Sequence, residues 1–471
     1  MRAKSNLSQL HQKFRNFLSA KGGNVVITFA LATLPIVGTV GFAVDYSHAN
    51  SVKAAMQAAI DSTALMLSKE ASTDSAATLQ TNAQKYFNAL FTRPEATGVT
   101  ITASYTTTGG SAIVVNGSAN VPTVFLGIIG YQNIPVNASS TAKWGSSRLR
   151  VALVLDNTGS MASSGKMTAL KSATQSLLTQ LQSAATINGD VYVSIIPFTT
   201  VVNVGTANNN SAWIDWSDYG NCTGGNNSLT AGDWTKYQCV ADHGSWTTYS
   251  SSMKNSWKGC VTDRGDLTGP NSAAYDTNVT APGTASATKY PAVDYTVGTT
   301  DYCGGLQQAI GLTYNWSSLS ALVNSMQPAG ATNQNIGLQM GWMSLVGGGI
   351  GGGAFTVPAE DSNYTYQHVI ILLTDGLNTQ NRWYGDGGTL GSSDDAKIDA
   401  REALTCSNFK AASSSNILYT IQVNTAGDPT STLLQNCASD STKFFLLTSA
   451  SEIVTAFNAI GTNLTKLRVA K

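Results

Sequence analysis

Two short apolar runs without alternation stand out along the chain. Residues 151–155 contain Val-Ala-Leu-Val-Leu, and residues 368–374 contain His-Val-Ile-Ile-Leu-Leu-Thr. Continuous Val, Ile and Leu are typical of strands that are buried on both faces, as in parallel sheets. Stretches with helical periodicity, among them 166–181 and 395–413, alternate with such strands. This alternation predicts an α/β domain with a doubly wound, mostly parallel sheet over residues 148–471.

The first apolar stretch of the chain, residues 25–44, has a different character. It is 20 residues long, and residues 1–23 before it carry five basic side chains and no acidic one. About 20 apolar residues span a bilayer as a helix, and positive charges mark the cytoplasmic flank. We therefore expect a basic cytoplasmic segment over residues 1–23, a retained transmembrane helix over residues 24–45, and the bulk of the chain outside the cytoplasmic membrane, periplasmic or extracellular. A cleaved signal peptide is the alternative.

The segment between these two regions, residues 46–147, has the pattern of a small mixed region. Apolar residues at helical spacing predict a helix over residues 74–92. Alternation of apolar and polar residues predicts strands over 99–105, 112–121 and 134–144. A helix packed on a small antiparallel sheet is a pilin-like α+β plan.

Composition narrows the class of partner. Charged residues make up only 11% of the chain, and 27 basic side chains balance 27 acidic ones. A nucleic-acid-binding protein needs a concentrated basic face, so we expect no nucleic-acid partner. Six cysteines in a non-cytosolic chain indicate three disulfide bonds. A thiolate metal site is the alternative, but the sequence has no Cys-x-x-Cys spacing to support it. Four of the cysteines lie in residues 205–315, which predicts a large disulfide-rich insertion in the α/β domain.

Polar side chains follow both buried strands. Asp156, Thr158 and Ser160 come directly after residues 151–155, and Asp375 follows residues 368–374. Carboxylate and hydroxyl oxygens are the ligands that a hard cation such as Mg²⁺ prefers. Ligands of open α/β sheets bind just beyond the carboxyl ends of the strands. A simple helix N-cap is the alternative for the first of these loops.

The same residues resemble the metal-ion-dependent adhesion site of the von Willebrand factor type A (VWA) family. That site has an Asp-x-Ser/Thr-x-Ser loop, a separate Thr in a loop that opens a helix, and an Asp after a later strand. The resemblance implies a bound Mg²⁺ or Mn²⁺ with one position left for an acidic side chain of a protein partner. The metal ligands that it implies are Asp156, Thr158, Ser160, Thr332 and Asp375.

A second resemblance covers nearly the whole chain. Residues 23–30 (Gly-Asn-Val-Val-Ile-Thr-Phe-Ala), 41–46, 257–264 and 312–316 resemble segments of TadG-like pilus-assembly proteins. The resemblance implies a membrane-anchored bacterial protein that assembles or anchors a Tad/Flp-type pilus. Its partners would be pilus components or a surface ligand.

The disulfide pairing follows from position along the chain. Two cysteines flank the predicted strand 417–423 in adjacent elements, and TadG-like chains carry cysteines at both places. For the four cysteines of the insertion we favour the pairs that close the shorter loops, while the two other pairings stay open. The expected pairs are Cys406–Cys437, Cys222–Cys239 and Cys260–Cys303.

Two alternative functions remain beside pilus assembly. A metal-dependent surface adhesin that is not tied to pili shares the metal site but leaves the pilin-like region unexplained. A cell-envelope hydrolase needs a catalytic constellation, and the chain contains neither Gly-x-Ser-x-Gly nor His-Glu-x-x-His. We therefore expect no enzyme activity, no catalytic residues and no organic cofactor.

Overall fold

The computed structural model describes residues 24–71, 73–107, 110–144, 147–185, 187–224, 235–267, 274–294, 296–297, 300–346, 355–388 and 393–469. The chain divides into two compact units, Met1–Trp144 and Gly145–Lys471. The boundary expected between residues 147 and 148 lies three residues after this division. The expected basic segment over residues 1–23 lies outside the described residues.

The first unit combines two helices with a three-stranded antiparallel sheet whose strands lie side by side in chain order. Its predicted helix and its three predicted strands are confirmed. The bounds of the elements are α1 (Asn24–Leu67), α2 (Ala76–Leu90), β1 (Thr97–Thr106), β2 (Ser111–Pro122) and β3 (Asn133–Trp144).

A stripe of apolar side chains on the second half of α1 builds the core of this unit. Buried residues recur at spacings of three and four, which places them on one face of the helix. They pack against Leu79, Ala83 and Phe87 of α2 and against the inward side chains of the sheet. The members from α1 are Ala49, Val52, Met56, Ala59, Ile60, Ala64 and Leu67.

The prediction of a transmembrane helix over residues 24–45 was wrong. Those residues are the first part of α1, a single helix of 44 residues that continues into the core of the unit. Thr33, Pro35 and Thr39 interrupt its apolar side chains. Among the described helices, none combines the length and the apolarity that a membrane span requires. The prediction of a single-pass protein of the cytoplasmic membrane depended on this helix and was therefore wrong as well.

The second unit is built around a ten-stranded sheet. Neighbouring strands are parallel through its first five members in spatial order. These members are β17 (Phe444–Leu447), β16 (Asn416–Val423), β15 (Thr365–Thr374), β4 (Ser147–Asp156) and β5 (Val191–Phe198). The remaining strands are β6 (Val202–Asn203), β10 (Cys260–Val261), β11 (Tyr290–Val293), β7 (Ile214–Asp215) and β14 (Ile310–Thr313).

The prediction of a doubly wound, mostly parallel sheet was wrong, because the sheet is mixed. β6 and β14 both run antiparallel to β5, and β10 runs antiparallel to both β6 and β11. Of these strands, β10, β11 and β14 come from residues 205–315, for which a disulfide-rich insertion was predicted. Strands of two to four residues are too short to show the alternation from which a strand is predicted.

Two separate apolar cores flank this sheet. Leu153 and Leu155 of β4 belong to one core, and Ala152 and Val154 of the same strand belong to the other, as alternation along a strand requires. The helices are α3 (Lys166–Ala184), α4 (Lys236–Ala241), α5 (Tyr302–Gly305), α6 (Trp316–Ser325), α7 (Gln334–Val346), α8 (Ser393–Ala412), α9 (Thr432–Cys437) and α10 (Glu452–Val469). Small two-stranded sheets pair β8 (Gly220–Thr223) with β9 (Ser245–Thr248) and β12 (Thr296–Val297) with β13 (Thr300–Asp301).

Candidate metal centre

The two carboxylates of the candidate site lie at the ends of neighbouring strands. β4 and β15 are parallel and in register, with Leu155 opposite Leu373. Asp156 is the last residue of β4, and Asp375 follows the last residue of β15. Parallel pairing therefore brings both aspartates to the same edge of the sheet, where such folds bind ligands.

Asp156 is the buried, hydrogen-bonded carboxylate of the site. It is fully buried, its Oδ1 accepts the Thr158 backbone N–H at 2.7 Å, and its Oδ2 accepts the Thr374 hydroxyl at 2.7 Å. Burial raises the pKa of Asp156 to about 7, with a further contribution from the neighbouring charge of Asp375. Two carboxylates held this close in a dry environment repel one another unless a cation or a proton lies between them.

A chain of hydrogen bonds links the first loop to Asp375. The hydroxyls of Thr158 and Ser160 are 3.0 Å apart, and the Ser160 hydroxyl donates to Asp375 Oδ1 at 2.6 Å. Ser160 is exposed, whereas Asp375 is buried. The site therefore has buried carboxylates beneath a hydroxyl that solvent can reach.

Thr332 reaches the same region through the backbone of its loop. The Gly159 N–H donates to the Gly330 carbonyl at 2.9 Å, and the Ala329 N–H donates to the Asn157 carbonyl at 2.8 Å. The Thr332 N–H in turn donates to Thr379 Oγ1 at 2.9 Å, in the loop that follows Asp375. These bonds lock the Thr332 loop against both aspartate loops.

Two residues of the site were missed from the sequence, Thr374 and Lys166. Thr374 was counted only as the end of a strand, although its hydroxyl holds Asp156. Lys166 is buried, and its ammonium donates to Asp375 Oδ2. A signal for Lys166 was present, because a cation in the first turn of a helix opposes the helix dipole and needs a local reason.

The oxygen-only donor set fits a hard divalent cation. Two carboxylates and two hydroxyls converge, and the pKa of Asp156 is raised first by burial and then by the charge of Asp375, which a cation would neutralise. Among the described residues, a group of three His, Cys, Asp or Glu side chains whose ligand atoms lie close together is found at Glu402, Cys406 and Cys437. Those two cysteines are joined to each other, so they offer no thiolate to a metal.

The six cysteines are paired in the structure as Cys222–Cys239, Cys260–Cys303 and Cys406–Cys437. These are the pairs that the sequence analysis expected. The bonds join residues 17, 43 and 31 positions apart. Cys260 lies on β10 and Cys303 on α5, so the second bond ties a strand of the large sheet to a short helix within the insertion.

The insertion also contacts the loop that carries Thr332. Asp263 is fully buried, and its Oδ2 accepts the Asn333 side-chain amide at 2.7 Å. Burial raises the pKa of Asp263 to about 6, with the charge of Asp276 adding to the effect. Asp276 is itself paired with the guanidinium of Arg401 on α8. The segment 257–264 therefore holds the loop of Thr332 through the hydrogen bond between Asp263 and Asn333.

Comparison with known proteins gives a short family match at the amino-terminal end. The family model "Tad: Putative Flp pilus-assembly TadE/G-like" matches residues 23–66, which is 44 of 471 residues. The matched segment coincides with most of α1. No curated protein sequence matches the chain.

Several solved structures share a distant likeness. The pilus adhesin SpaC from Lactobacillus rhamnosus GG has 14% identity and a TM-score of 0.34, covering 79% of this chain and 35% of that one. The vWF domain of the type V pili tip protein Mfa5 from Porphyromonas gingivalis has 9% identity and a TM-score of 0.35, covering 69% and 97%. The PilB minor pilin from Streptococcus sanguinis has 11% identity and a TM-score of 0.35, covering 79% of each chain. The match thus spans about a third of the SpaC chain.

Proposed function

We propose that this chain is a pilus-associated surface protein of the TadG-like kind, which uses a divalent metal to hold an acidic side chain of a protein partner. The observation that carries the metal proposal is the hydrogen-bonded set of Asp156, Thr158, Ser160 and Asp375. The link to pili is supported by the family match over residues 23–66.

The residues of the site have separate tasks in this proposal. Ser160, Thr158 and Thr332 would supply hydroxyl oxygens to Mg²⁺ or Mn²⁺, and the two aspartates would supply charge directly or through water. A bound metal would offer a carboxylate of the partner an open position. Thr374 and the Thr158 N–H fix the Asp156 carboxylate in one orientation before any ligand arrives. None of these tasks involves catalysis.

The buried position of the aspartates favours metal binding over simple helix capping. A capping carboxylate lies at the surface and accepts hydrogen bonds from the first N–H groups of the following helix. Helix α3 begins only at Lys166, after Gly165, whose φ is 72°. Asp156 is ten positions before it and faces Thr374 instead. The capping alternative therefore has no support at Asp156.

A strain carrying Asp156→Ala together with Asp375→Ala tests the proposal in cells. At normal protein level we expect fimbriae and adhesion to fail together. Asp361→Asn is the matched control, because Asp361 lies before the amino end of β15, whereas Asp375 follows its carboxyl end. If fimbriae form but adhesion to surfaces fails, the pilus-independent adhesin replaces the proposal. If fimbriae and adhesion both match the parent strain, the metal site is not how this protein works.

Partner capture gives the biochemical counterpart. The full chain, immobilised in buffer with Mg²⁺, should retain a protein that EDTA releases. The Asp156→Ala variant should retain none of that protein, while the Asp361→Asn control should retain as much as the wild type. Equal retention by all three chains, with or without EDTA, would rule out a metal bridge.

A further inference from the structure

Lys166 occupies an unusual place for a lysine. Its side chain is only 6% exposed, and the Asp375 side chain that it contacts is fully buried. Lysine is almost never buried unless it is paired. The ammonium donates to Asp375 Oδ2, while the other oxygen of that carboxylate accepts the Ser160 hydroxyl. Lys166 thus occupies one of the two oxygens that Asp375 could offer to a metal.

The local backbone works against a cation at this position. Lys166 is the first residue of α3, where the exposed N–H groups give the helix a partial positive charge. The turn before it contains Ser164 and Gly165, both with positive φ, at 54° and 72°. Ser164 lies in a region that side-chain-bearing residues rarely adopt. The unfavourable helix dipole at Lys166 and the positive φ of Ser164 are two local costs of placing this ammonium beside Asp375.

We propose that the Lys166 ammonium is a tethered cation that neutralises Asp375 while no metal is bound, and that a divalent metal must displace it to occupy the site. This inference rests on the proposed function, because it concerns the same metal site. Two cations cannot share the space beside Asp375 Oδ2, so the ion pair and the metal exclude each other. The fraction of time for which the pair is broken sets the apparent affinity for metal.

The ion pair has a consequence for how the site responds to metal. Without metal the site is kept stable, because the buried Asp375 has a positive partner for most of the time. Metal occupancy then requires a concentration high enough to outcompete an intramolecular ligand. Once displaced, the Lys166 ammonium must move toward solvent, where it adds positive charge to the rim beside the exposed Ser160. A site of this kind switches between a lysine-held and a metal-held state.

Metal titration of a lysine variant tests the competition. Lys166→Met keeps the aliphatic stem and removes the charge, and Mn²⁺ binding to the full chain is followed by isothermal titration. We expect the variant to bind Mn²⁺ about ten to a hundred times more tightly, the factor that follows if the ion pair is formed for about 90–99% of the time. Lys171→Met is the matched control, because Lys171 lies on the same helix and its ammonium bonds the Asn324 carbonyl. That control should bind Mn²⁺ like the wild type.

Displacement itself is measured by amine labelling of the wild-type chain. With acetic anhydride and mass spectrometry, Lys166 should be protected without metal and labelled several times faster at saturating Mn²⁺. Lys171 should be labelled at the same rate in both conditions. Tighter binding by Lys166→Met without any change in Lys166 labelling would overturn displacement, because the lysine would then act only through its charge.

The outcomes separate this inference from the function on which it rests. Equal Mn²⁺ affinity of wild type and Lys166→Met overturns the inference and leaves the metal site standing. Binding by Lys166→Met alone supports the lysine as occupant of the site and refutes metal binding by the natural chain. No binding by either chain refutes both the metal site and the competition.

Discussion

Buried carboxylates are the residue-scale feature on which this molecule depends. Asp156, Asp263 and Glu402 are all fully buried, and burial raises the pKa of each, to about 7, about 6 and about 8 respectively. A buried carboxylate is stable only when hydrogen bonds, a proton or a cation compensate its charge. Asp156 and Glu402 are compensated differently, so each leads to a different expectation.

Thr374 is the residue that holds Asp156. In Thr374→Val the shape is kept but the hydroxyl is lost, so Asp156 Oδ2 loses its hydroxyl donor in a fully buried place. We expect the free energy of unfolding without metal to fall by about 1–3 kcal/mol. Urea denaturation of the full chain with EDTA measures this. An unchanged midpoint would mean that water replaces the hydroxyl at no cost.

Glu402 makes stability depend on pH. The Asn378 amide donates to its Oε2 at 2.7 Å, but burial dominates and raises the pKa from 4.5 to about 8. The folded chain therefore keeps a proton that the unfolded chain releases. The stability that this proton confers is complete below about pH 4.5 and is lost progressively as the pH rises through 8.

Glu402→Gln removes this titration while it preserves an oxygen for Asn378. We expect the variant to gain stability relative to the wild type as the pH rises from 5 to 9, by about 1 kcal/mol or more. Urea denaturation at pH 5, 7 and 9 provides the comparison. Parallel curves for the two chains across this range would show that Glu402 does not hold a proton in the folded state.

Residue-scale features divide by whether the local sequence indicates which residues meet. The grouping of Asp156, Thr158, Ser160 and Asp375 was predictable, because each lies at the end of a recognisable strand or in the loop that follows it, and metal binding there stays a prediction. The ion pair of Lys166 with Asp375 was not predictable. Neither residue carries a local mark of its partner, so only the folded chain reveals the pair.

At the scale of elements, covalent and ionic links hold the second unit together around α8. Cys406 on α8 is bonded to Cys437 at the end of α9. Arg401, one turn earlier, pairs with Asp276 of the insertion, and both groups are largely buried. The helix thus fixes a neighbouring helix on one side and the insertion on the other.

Loss of the Cys406–Cys437 bond should lower stability markedly. The bond joins residues 31 positions apart, so closing this loop in the unfolded chain accounts for about 3.5 kcal/mol. We expect Cys406→Ser with Cys437→Ser to lose about that much in urea denaturation under oxidising conditions. Under reducing conditions the difference from the wild type should vanish. A difference that persists after reduction would place the effect in packing instead of in the bond.

The Arg401–Asp276 pair is testable by a double-mutant cycle. Arg401→Met leaves Asp276 buried without its cation, so we expect a loss of about 3–5 kcal/mol in the free energy of unfolding. Adding Asp276→Asn to Arg401→Met should recover much of that loss, because the uncompensated charge disappears. Simple addition of the two single effects would show that the pair does not interact energetically.

Element prediction succeeded where patterns were long enough to recognise. The helix that starts at Lys166 was predicted at its observed start, and the strand predicted over residues 417–423 was found over Asn416–Val423. The antiparallel strands at the β5 edge were missed, since β6 and β10 contain only two residues each. The membrane helix was wrong because apolar length alone does not distinguish a span from the first half of a long helix that continues into a core.

At the scale of the whole molecule, the two units carry different parts of the account. The TadE/G-like family match falls in the first unit, on α1. The oxygen cluster of Asp156 and Asp375 falls in the second. The proposal requires both on one chain, a segment for association with a pilus and a metal site for a partner. The expectation that the chain is not an enzyme stays a prediction.

Direct binding of Mn²⁺ to the full chain tests the central claim at this scale. In equilibrium titration monitored by calorimetry or by the Mn²⁺ electron paramagnetic resonance signal, we expect one Mn²⁺ per chain. Added Mg²⁺ should displace this Mn²⁺, and a chain with Asp156→Ala and Asp375→Ala should bind none. Failure of the wild type to bind Mn²⁺, or equal binding by the double variant, would contradict the account.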